Sequence, residues 1–291
     1  MSYPKISVVM PSYNQASYIE DAIKSVLEQD YPEVELLIID GGSSDGSVEI
    51  IKKYADRLSY WVSERDKGQS DALNKGFERA TGELLTWCNS DDLLLPGALR
   101  AVGETFIRQG GASGASWIAG SCLWVDPDAK VIRASRNAGY CQTLVDNGVC
   151  SVSAPSSFFT RKMYDEIGGV DLQFHYMMDI NLWFAFAQRG YRYAVVPRYL
   201  WALRLHPEAK MSGHNFAGSA MADPNHPVWG KRNREAALIA ERYGVQLDSR
   251  RGALYSRLHR AVTLATPRAL LDTFRWKGMP VYECVKAPHA V

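Results

Sequence analysis

Short apolar segments alternate with amphipathic segments along the first 110 residues, and this alternation limits the fold more than any other feature of the chain. Apolar runs at residues 6–10, 34–39 and 58–63 are separated by segments whose apolar residues have helical spacing. Strands that alternate with helices through short connections form a parallel sheet covered by helices. The sequence therefore predicts an α/β fold with a Rossmann-like, mainly parallel sheet.

The pattern changes after a glycine-rich stretch at residues 110–114, which we interpret as a seam between two halves. Residues 117–125 and 131–134 flank a turn at Asp126-Pro127-Asp128 and predict a hairpin, so the second half is expected to be mixed rather than parallel. Residues 207–229 are rich in Gly, Ser, Pro and His, which favours a mobile loop. The predicted units are residues 1–115, residues 116–215, and residues 216–291 as a mobile loop with a basic helical C-terminal extension.

Two adjacent carboxylates, Asp91 and Asp92, follow an apolar run at residues 84–88. In open α/β sheets, ligands bind at the carboxyl ends of such strands. Neighbouring carboxylates repel each other unless a cation lies between them, and an oxygen-rich site suits Mg²⁺ or Mn²⁺. The pair therefore indicates either a metal site that would carry a phosphate or a solvated turn followed by a helix cap.

A polar loop that opens a helix precedes this strand, at residues 66–76. The start of a helix offers unpaired N–H groups to phosphate or ribose oxygens. Taken singly, however, Gly68 is better explained as a turn residue and Asn74 as a surface residue. The glycine patterns of dinucleotide-binding proteins and of P-loop kinases are absent from the sequence, which disfavours both enzyme classes.

Asp179 is the only acid in the apolar stretch at residues 177–186. Its carboxylate would cap the following helix, act as a general base with a pKa raised by partial burial, or do both. His206 follows a predicted strand, close to Arg204. A lone histidine is more often structural, but this position keeps a metal or diphosphate role open.

Net charge and cysteine content limit the partners and the compartment. The formal net charge is +1, so no overall electrostatic field attracts nucleic acid. The five cysteines have no paired spacing, which is typical of a reducing cytoplasm rather than of a disulfide framework. No apolar run approaches the length of a membrane span. We therefore expect a cytoplasmic chain that does not bind nucleic acid.

Residues 250–277 carry six Arg and one Lys against a single Asp, interleaved with leucine, phenylalanine and tryptophan. One interpretation is an interfacial segment that contacts anionic lipid on the cytoplasmic face of a membrane. The other is a basic helix pair that packs on the domain or forms the contact of a homodimer. The sequence leaves both open.

Six motifs in series resemble the pattern of glycosyltransferase family 2 in their order and spacing, over roughly residues 4–210. They are Pro11-Ser12-Tyr13-Asn14, Asp40, the loop at residues 66–76, Asn89-Ser90-Asp91-Asp92, Gly168-Gly169-Val170-Asp171, and Met178-Asp179 through Leu182-Trp183. Such a series is far more specific than any one motif. The resemblance implies a GT-A fold, in which a nucleotide-binding half of the sheet continues into an acceptor-binding half.

The resemblance also implies roles for individual residues. Pro11, Ser12 and Tyr13 would form the wall of the base pocket, Asp40 would bond the nucleobase, and the nucleotide would be lined by Lys67, Gly68 and Ser70. Asp91 would face ribose or metal, Asp92 would be the most direct ligand of Mn²⁺ or Mg²⁺, His206 would help to hold metal or diphosphate, and Arg204 would bind diphosphate. Asp179 would be the catalytic base, while Met178 replaces the first acid of the family's usual pair.

The activity implied is inverting transfer of a sugar from a nucleoside-diphosphate donor, with a UDP-sugar as the first expectation. The acceptor would be a hydroxyl in cell-surface polysaccharide or lipid-linked glycan assembly. Two other functions use the same residues. A sugar-phosphate nucleotidyltransferase would release pyrophosphate instead of nucleoside diphosphate, and a non-catalytic module would bind nucleotide-sugar or carbohydrate without turnover.

Overall fold

The computed structural model describes residues 2–111, 117–150, 152, 156–210, 227–247, 249–263 and 265–284. Within these residues the strands are β1 Ile6–Ser12, β2 Val34–Asp40, β3 Tyr60–Ser63, β4 Leu84–Trp87, β5 Leu93–Leu94, β6 Trp117–Val125, β7 Val131–Ser135, β8 Ser157–Thr160 and β9 Tyr193–Arg204. The helices are α1 Ile19–Leu27, α2 Ser47–Lys53, α3 Gln69–Arg79, α4 Ala98–Arg108, α5 Gln142–Asp146, α6 Arg161–Glu166, α7 Met178–Gln188, α8 Pro227–Tyr243, α9 Arg250–Val262, α10 Ala265–Trp276 and α11 Val281–Cys284, with a 3-10 turn at Ala55–Arg57.

The strands form one sheet in the order β3-β2-β1-β4-β8-β6-β9-β5, and β7 pairs with β6 at its side. Strands β1 to β4 are parallel to their neighbours within this group. Strand β8 is antiparallel to both β4 and β6, whereas β9 is parallel to β6 and antiparallel to β5. The first half is therefore parallel and the second half mixed, as the sequence predicts, and the expected hairpin is β6 with β7.

Strand β1 continues two residues beyond the predicted end at Met10, through Pro11 to Ser12. The carbonyl oxygen of Val9 accepts the N–H of Cys88 at the end of β4. Residues two apart in a strand direct their backbone groups to the same side, so the nitrogen of Pro11 faces the β4 side, as Val9 does. At Pro11, however, β4 has already ended. A proline there removes no ladder hydrogen bond, so the strand tolerates it.

Both faces of the parallel half are covered, because alternate residues of the strands enter different clusters. Val8 and Leu36 join a core with α1 and α4, while Val9 and Leu37 join a second core with α3 and α7. Helix α3 approaches β1 closely at Gly76, where a Cβ would lie 2.3 Å from Cγ1 of Val9. This contact sets the depth of α3 against the sheet, and with it the position of the helix start.

The C-terminal helices pack on the second half of the sheet and its helix α7. Arg242 of α8 bonds Asp171 and Asn181, and the Tyr243 ring stacks on Phe184 of α7. Helix α10 lies against β7 and contributes Trp276 to a third apolar cluster. Of the predicted loops, residues 112–114 of the seam and 211–226 of the mobile loop lie outside the described residues. None of the helices described here is long and apolar enough to cross a bilayer.

Candidate functional site

A cavity of about 900 Å³ opens where the carboxyl ends of β1, β2 and β4 meet the first turns of α3 and α7. This is the edge of an α/β sheet where ligands bind. Six of the residues predicted for the site line the cavity, namely Pro11, Ser12, Tyr13, Gly68, Asp91 and Asp179. Six others lie outside its lining, namely Asp40, Lys67, Ser70, Asp92, Arg204 and His206.

Asp91 presents its carboxylate to the cavity from the turn that follows β4. Its Oδ2 lies 3.1 Å from Nε2 of His206, a side chain that is only 1% exposed. The His206 ring packs on Tyr18, and its other nitrogen, Nδ1, is buried without a hydrogen-bond partner among the described residues. His206 thus supports Asp91 from behind, while Asp91 faces the open space.

Asp92 is turned the other way and is buried. Its two oxygens accept the backbone N–H of Arg204 at 2.9 Å and the Nδ2 of Asn89 at 2.8 Å. Burial, and then the neighbouring Asp91 charge, raise the pKa of Asp92 well above its ordinary value. The family resemblance implies that Asp92 is the most direct metal ligand. In the structure, Asp91 lines the cavity, whereas Asp92 is hydrogen-bonded within the protein and fixes the turn.

The guanidinium of Arg204 is buried and engaged with protein groups. It donates to the carbonyl oxygens of Asp91 at 3.0 Å and Pro127 at 2.6 Å, and it pairs with Asp21 at 3.3 Å. The guanidinium lies over the aromatic ring of Tyr18, with its carbon 4.8 Å from the ring centroid. In this arrangement Arg204 holds the turn that carries Asp91.

The remaining predicted residues support the cavity from outside. Asp40 is fully buried and accepts hydrogen bonds from Gly42, Ser43 and Ser63, which shapes the loop after β2. The hydroxyl of Ser70 donates to the carbonyl oxygen of Phe174 at 2.7 Å and so ties α3 to the segment before α7. Lys67 is exposed, and its backbone N–H donates to Asp71.

Asp179 is the second residue of α7, and its carboxylate lines the cavity. The N-cap of this helix is Met177, so Asp179 is not the N-cap. Its Oδ1 accepts the N–H of Ile180 at 2.8 Å. Burial raises the pKa of Asp179, while this hydrogen bond and the Lys210 charge act in the opposite direction. A carboxylate of this kind accepts protons more readily than an exposed one.

Glu235 of α8 is a residue that the sequence did not reveal as part of the site. Its carboxylate, 7% exposed, accepts the backbone N–H groups of His175 at 3.0 Å and of Tyr176 and Met177 at 2.8 Å each. These three groups precede α7 directly, so Glu235 fixes the entry to the helix that carries Asp179. The only available signal was the need of those N–H groups for an acceptor, and nothing local indicates where in the chain it lies.

Lys210 was not predicted from the sequence either. It begins a series of hydrogen bonds at the cavity. Its Nζ donates to Oε1 of Gln69 at 2.9 Å, Gln69 donates to Asn89 at 2.8 Å, and Asn89 donates to Asp92 at 2.8 Å. Burial lowers the pKa of Lys210 to about 8, against the opposing effect of Asp179 and Glu235. This series of hydrogen bonds connects a cation near Asp179 with the turn that carries Asp91.

The described residues contain no group of three or more His, Cys, Asp or Glu side chains arranged to hold a metal ion. Four of the described acids line the cavity, Asp66, Asp91, Asp179 and Glu208, and Asp91 is the one whose carboxylate is backed by the buried His206. Magnesium-type cations are often held by one or two carboxylates, with substrate phosphates and water completing the shell. The donor set is compatible with a cation that arrives with a phosphorylated ligand, and not with a cage made of protein alone.

Comparison with known proteins places the chain in a family. The profile of glycosyl transferase family 2 matches residues 7–168, more than half of the chain. A GalNAc(5)-diNAcBac-PP-undecaprenol beta-1,3-glucosyltransferase of Campylobacter jejuni is 35% identical over 124 residues, which cover 41% of this chain and 38% of that protein. The putative teichuronic acid biosynthesis glycosyltransferase TuaG of Bacillus subtilis is 40% identical over 92 residues, covering 31% and 36%. The chain thus spans well under half the length of these two relatives.

Solved structures with the same fold agree. S. aureus TarS in complex with UDP-GlcNAc has a TM-score of 0.54 and 17% identity, covering 81% of this chain and 66% of that chain. The mannosyltransferase PcManGT from Pyrobaculum calidifontis, in complex with GDP-Man and Mn²⁺, has a TM-score of 0.53 and 19% identity, covering 97% and 85%. At these identities the likeness shows the GT-A fold alone. By its family match and its fold, the chain belongs to glycosyltransferase family 2.

Proposed function

We propose that this chain transfers a sugar from a nucleoside-diphosphate donor to an acceptor hydroxyl, with inversion at the anomeric carbon. The observation that carries the proposal is that Asp179, a carboxylate whose pKa is raised by burial, lines the same cavity as Asp91 and Lys210. A proton acceptor, a metal-binding carboxylate and a cation are the groups that this reaction needs. Family membership supports the same chemistry.

On the donor side, Pro11, Ser12, Tyr13 and Gly68 form the wall against which the nucleotide would lie. Asp91 would hold Mn²⁺ or Mg²⁺ in place of Asp92, with His206 keeping its carboxylate in position. When bound, such a cation stabilises negative charge on a departing diphosphate. Asp40, Ser70, Asp92 and Arg204 serve by holding the loops and turns that make this wall.

On the acceptor side, Asp179 takes the proton of the attacking hydroxyl. The hydroxyl oxygen forms a bond to C1 of the sugar as the bond from C1 to the diphosphate oxygen breaks on the opposite face. Because attack and departure occur on opposite faces, the anomeric configuration inverts. The positive charge of Lys210 favours the ionised form of Asp179, and its side chain lines the cavity in which the negative diphosphate would leave.

The donor is proposed to be a UDP-sugar, a choice supported by TarS, whose structure contains UDP-GlcNAc. GDP remains the second choice because the PcManGT structure contains GDP-Man. The acceptor is proposed to be a lipid-linked glycan or cell-surface polysaccharide, in line with the names of the Campylobacter and Bacillus relatives. Transfer in the reducing cytoplasm agrees with the five free cysteines.

The test is a thermal-shift panel of UDP, GDP, dTDP and CMP, each with and without Mn²⁺. A ligand at a hundred times its Kd adds about 2.7 kcal/mol, which for a domain of this size is a shift of about 5 °C. One nucleoside diphosphate should give this shift only with metal, and Asp91→Asn should remove the metal-dependent part. The matched control is Glu208→Gln, an acid that lines the same cavity.

Transfer itself is checked with the identified donor by following release of nucleoside diphosphate. Asp179→Asn should abolish transfer and leave the nucleotide shift intact, since general-base catalysis is typically worth about 10² to 10⁴-fold. Normal turnover by Asp179→Asn would refute the assignment of the base. Release of pyrophosphate would replace the proposal with a nucleotidyltransferase, and binding without turnover would replace it with a binding module.

A further inference from the structure

Helix α10 packs on the protein through two alanines, an aspartate and a tryptophan, and presents three other large apolar residues to the outside. Ala265, Ala269 and Trp276 are buried together with Asp272, on the side that faces β7. The outward positions hold Leu270, Leu271 and Phe274, which are 65%, 68% and 90% exposed. A helix packed only against its own domain normally shows the reverse pattern.

Helix α9 shows a second outward apolar row. Leu254, Leu258 and Val262, spaced four residues apart, are 55%, 53% and 82% exposed. Residues spaced in this way lie along one face of a helix. Contiguous exposed apolar residues of this size mark sites of interaction with another surface.

The same two helices carry exposed positive charge and no exposed negative charge. The exposed cations are Arg250, Arg251, Arg257, Arg268 and Arg275 on the helices, and Lys277 directly after α10. In the part of the chain that the structure describes, none of these six forms an ion pair with an acid. Asp272, the single acid of residues 250–277, is buried, where it pairs with Arg136 at 2.7 Å and accepts the Tyr199 hydroxyl at 2.5 Å. We call the six apolar residues and these six cations the basic C-terminal surface.

We propose that the basic C-terminal surface docks on a bilayer leaflet that contains anionic lipids. Leucine and phenylalanine side chains would enter the interfacial region of the leaflet, while arginine and lysine would pair with lipid phosphates and acidic headgroups. The charge pattern selects this occupant. A second copy of the chain, related by a two-fold axis, would set the six cations against the same six cations.

Segments of the chain itself offer no better match in charge. Residues 285–291 contain Lys286 and His289 and no acid, and residues 211–226 contain one acid, Asp223. Neither sequence complements six positive charges. A leaflet rich in anionic headgroups does, and it also accepts apolar side chains.

The experiment is co-sedimentation of the full chain with phosphatidylcholine vesicles, with and without 30% phosphatidylglycerol, which is the probe for anionic lipid. We expect binding to the anionic vesicles at low salt that falls in 1 M salt, where the Debye length is about 3 Å. Each basic residue near an anionic surface strengthens binding about fivefold, so Arg268→Glu with Arg275→Glu should weaken it about 25-fold or more. Leu271→Ser with Phe274→Ser should weaken it on vesicles at every salt concentration.

Matched controls distinguish binding through this surface from nonspecific binding to vesicles. Leu172→Ser removes an apolar side chain that is 52% exposed elsewhere, and Lys52→Glu with Lys53→Glu reverses two exposed charges on α2. Both controls should bind like the wild type. All altered side chains are exposed, so unchanged thermal unfolding should verify that each variant folds.

Three results would overturn the proposal. The first is failure of the wild type to bind anionic vesicles at low salt, and the second is binding that the surface variants leave unchanged. The third is a dimer seen by analytical ultracentrifugation that Phe274→Ser dissociates while vesicle binding is absent, which would assign the surface to a second copy. None of these depends on turnover, so the proposed transfer can fail while docking holds, and docking can fail while transfer holds.

Discussion

The three hydrogen bonds accepted by Glu235 make the entry to α7 sensitive to one conservative change, Glu235→Gln. Glutamine has nearly the same shape as glutamate but only one acceptor oxygen and no charge. In the wild type one oxygen serves Tyr176 and Met177 and the other serves His175. In the variant, the amide N–H₂ group would face an N–H group, so at least one donor would be left without an acceptor.

The size of the effect follows from these contacts. A hydrogen bond to a charged group contributes about 1.5–3 kcal/mol, against about 1 kcal/mol for a neutral one. Losing one such bond and weakening two others should lower the free energy of unfolding by about 3 kcal/mol. With an m value of about 3 kcal/mol/M, the midpoint of urea unfolding should fall by about 1 M.

Activity separates a positioning role from stability alone. Glu235 does not line the cavity, so nucleotide binding should survive in Glu235→Gln at temperatures where the variant is folded. Transfer should not survive, because displacement of a catalytic group by about 1 Å costs about a hundredfold. We expect kcat to fall about a hundredfold at 10 °C with little change in the thermal shift given by the donor nucleotide.

The matched control is Glu241→Gln, an exposed glutamate six residues further along the same helix. It should leave both the urea midpoint and kcat unchanged. If Glu235→Gln unfolds at the wild-type midpoint and turns over at the wild-type rate, the three contacts do not fix the base helix. If it loses stability but keeps kcat, Glu235 is structural and has no part in positioning Asp179.

Three further predictions concern the base, its neighbouring cation and the packing of α3. Because burial raises the pKa of Asp179 and only its ionised form accepts a proton, kcat/KM should fall on acidification from a higher pH than for an ordinary aspartate, and Asp179→Glu should retain a measurable rate whereas Asp179→Asn should not. Lys210→Met removes a charge that lowers the pKa of Asp179, so the acid limb of the pH profile should move to higher pH. The wild type should also lose donor affinity as Lys210 deprotonates near pH 8, and the variant should not show this loss. Gly76→Ala puts a Cβ 2.3 Å from Val9 and should cost about 1–3 kcal/mol in urea unfolding, whereas Gly230→Ala, a helical position with open space, should be neutral or stabilising by up to about 1 kcal/mol.

The parallel first half and the mixed second half of the sheet were predictable because local pattern and overall fold agree. Runs at residues 6–10, 34–39 and 84–88 are apolar except for one residue each, Ser7, Glu35 and Thr86, as expected for parallel strands buried on both faces. The family resemblance and the GT-A fold are confirmed. The end of β1 was placed too early, because the effect of Pro11 depends on whether a strand lies opposite its nitrogen, and the length of β4 decides that.

The site was predictable as a set of motifs but not as a geometry. Asp91 and Asp92 are adjacent and chemically identical, so sequence alone does not tell which one is buried. The structure distinguishes them through the backbone N–H of Arg204, a residue more than a hundred positions away. Asp40 and Ser70 show the same limit, since a motif residue that shapes a loop has the same signature as one that touches a ligand.

The cavity residues together also suggest how charge is balanced during the proposed transfer. Lys210 acts electrostatically on Asp179 and, through Gln69 and Asn89, is linked to the turn of Asp91. As the hydroxyl attacks, Asp179 becomes neutral by taking a proton while negative charge grows on the departing diphosphate. Lys210 lines the same cavity as Asp179, so its charge would compensate the carboxylate before the reaction and the diphosphate during it. Its electrostatic stabilisation would then be greater in the transition state, where charge develops, than in the ground state. On this argument the loss of Lys210 affects kcat more than donor affinity below pH 8, and it does so without contact to the reacting carbon.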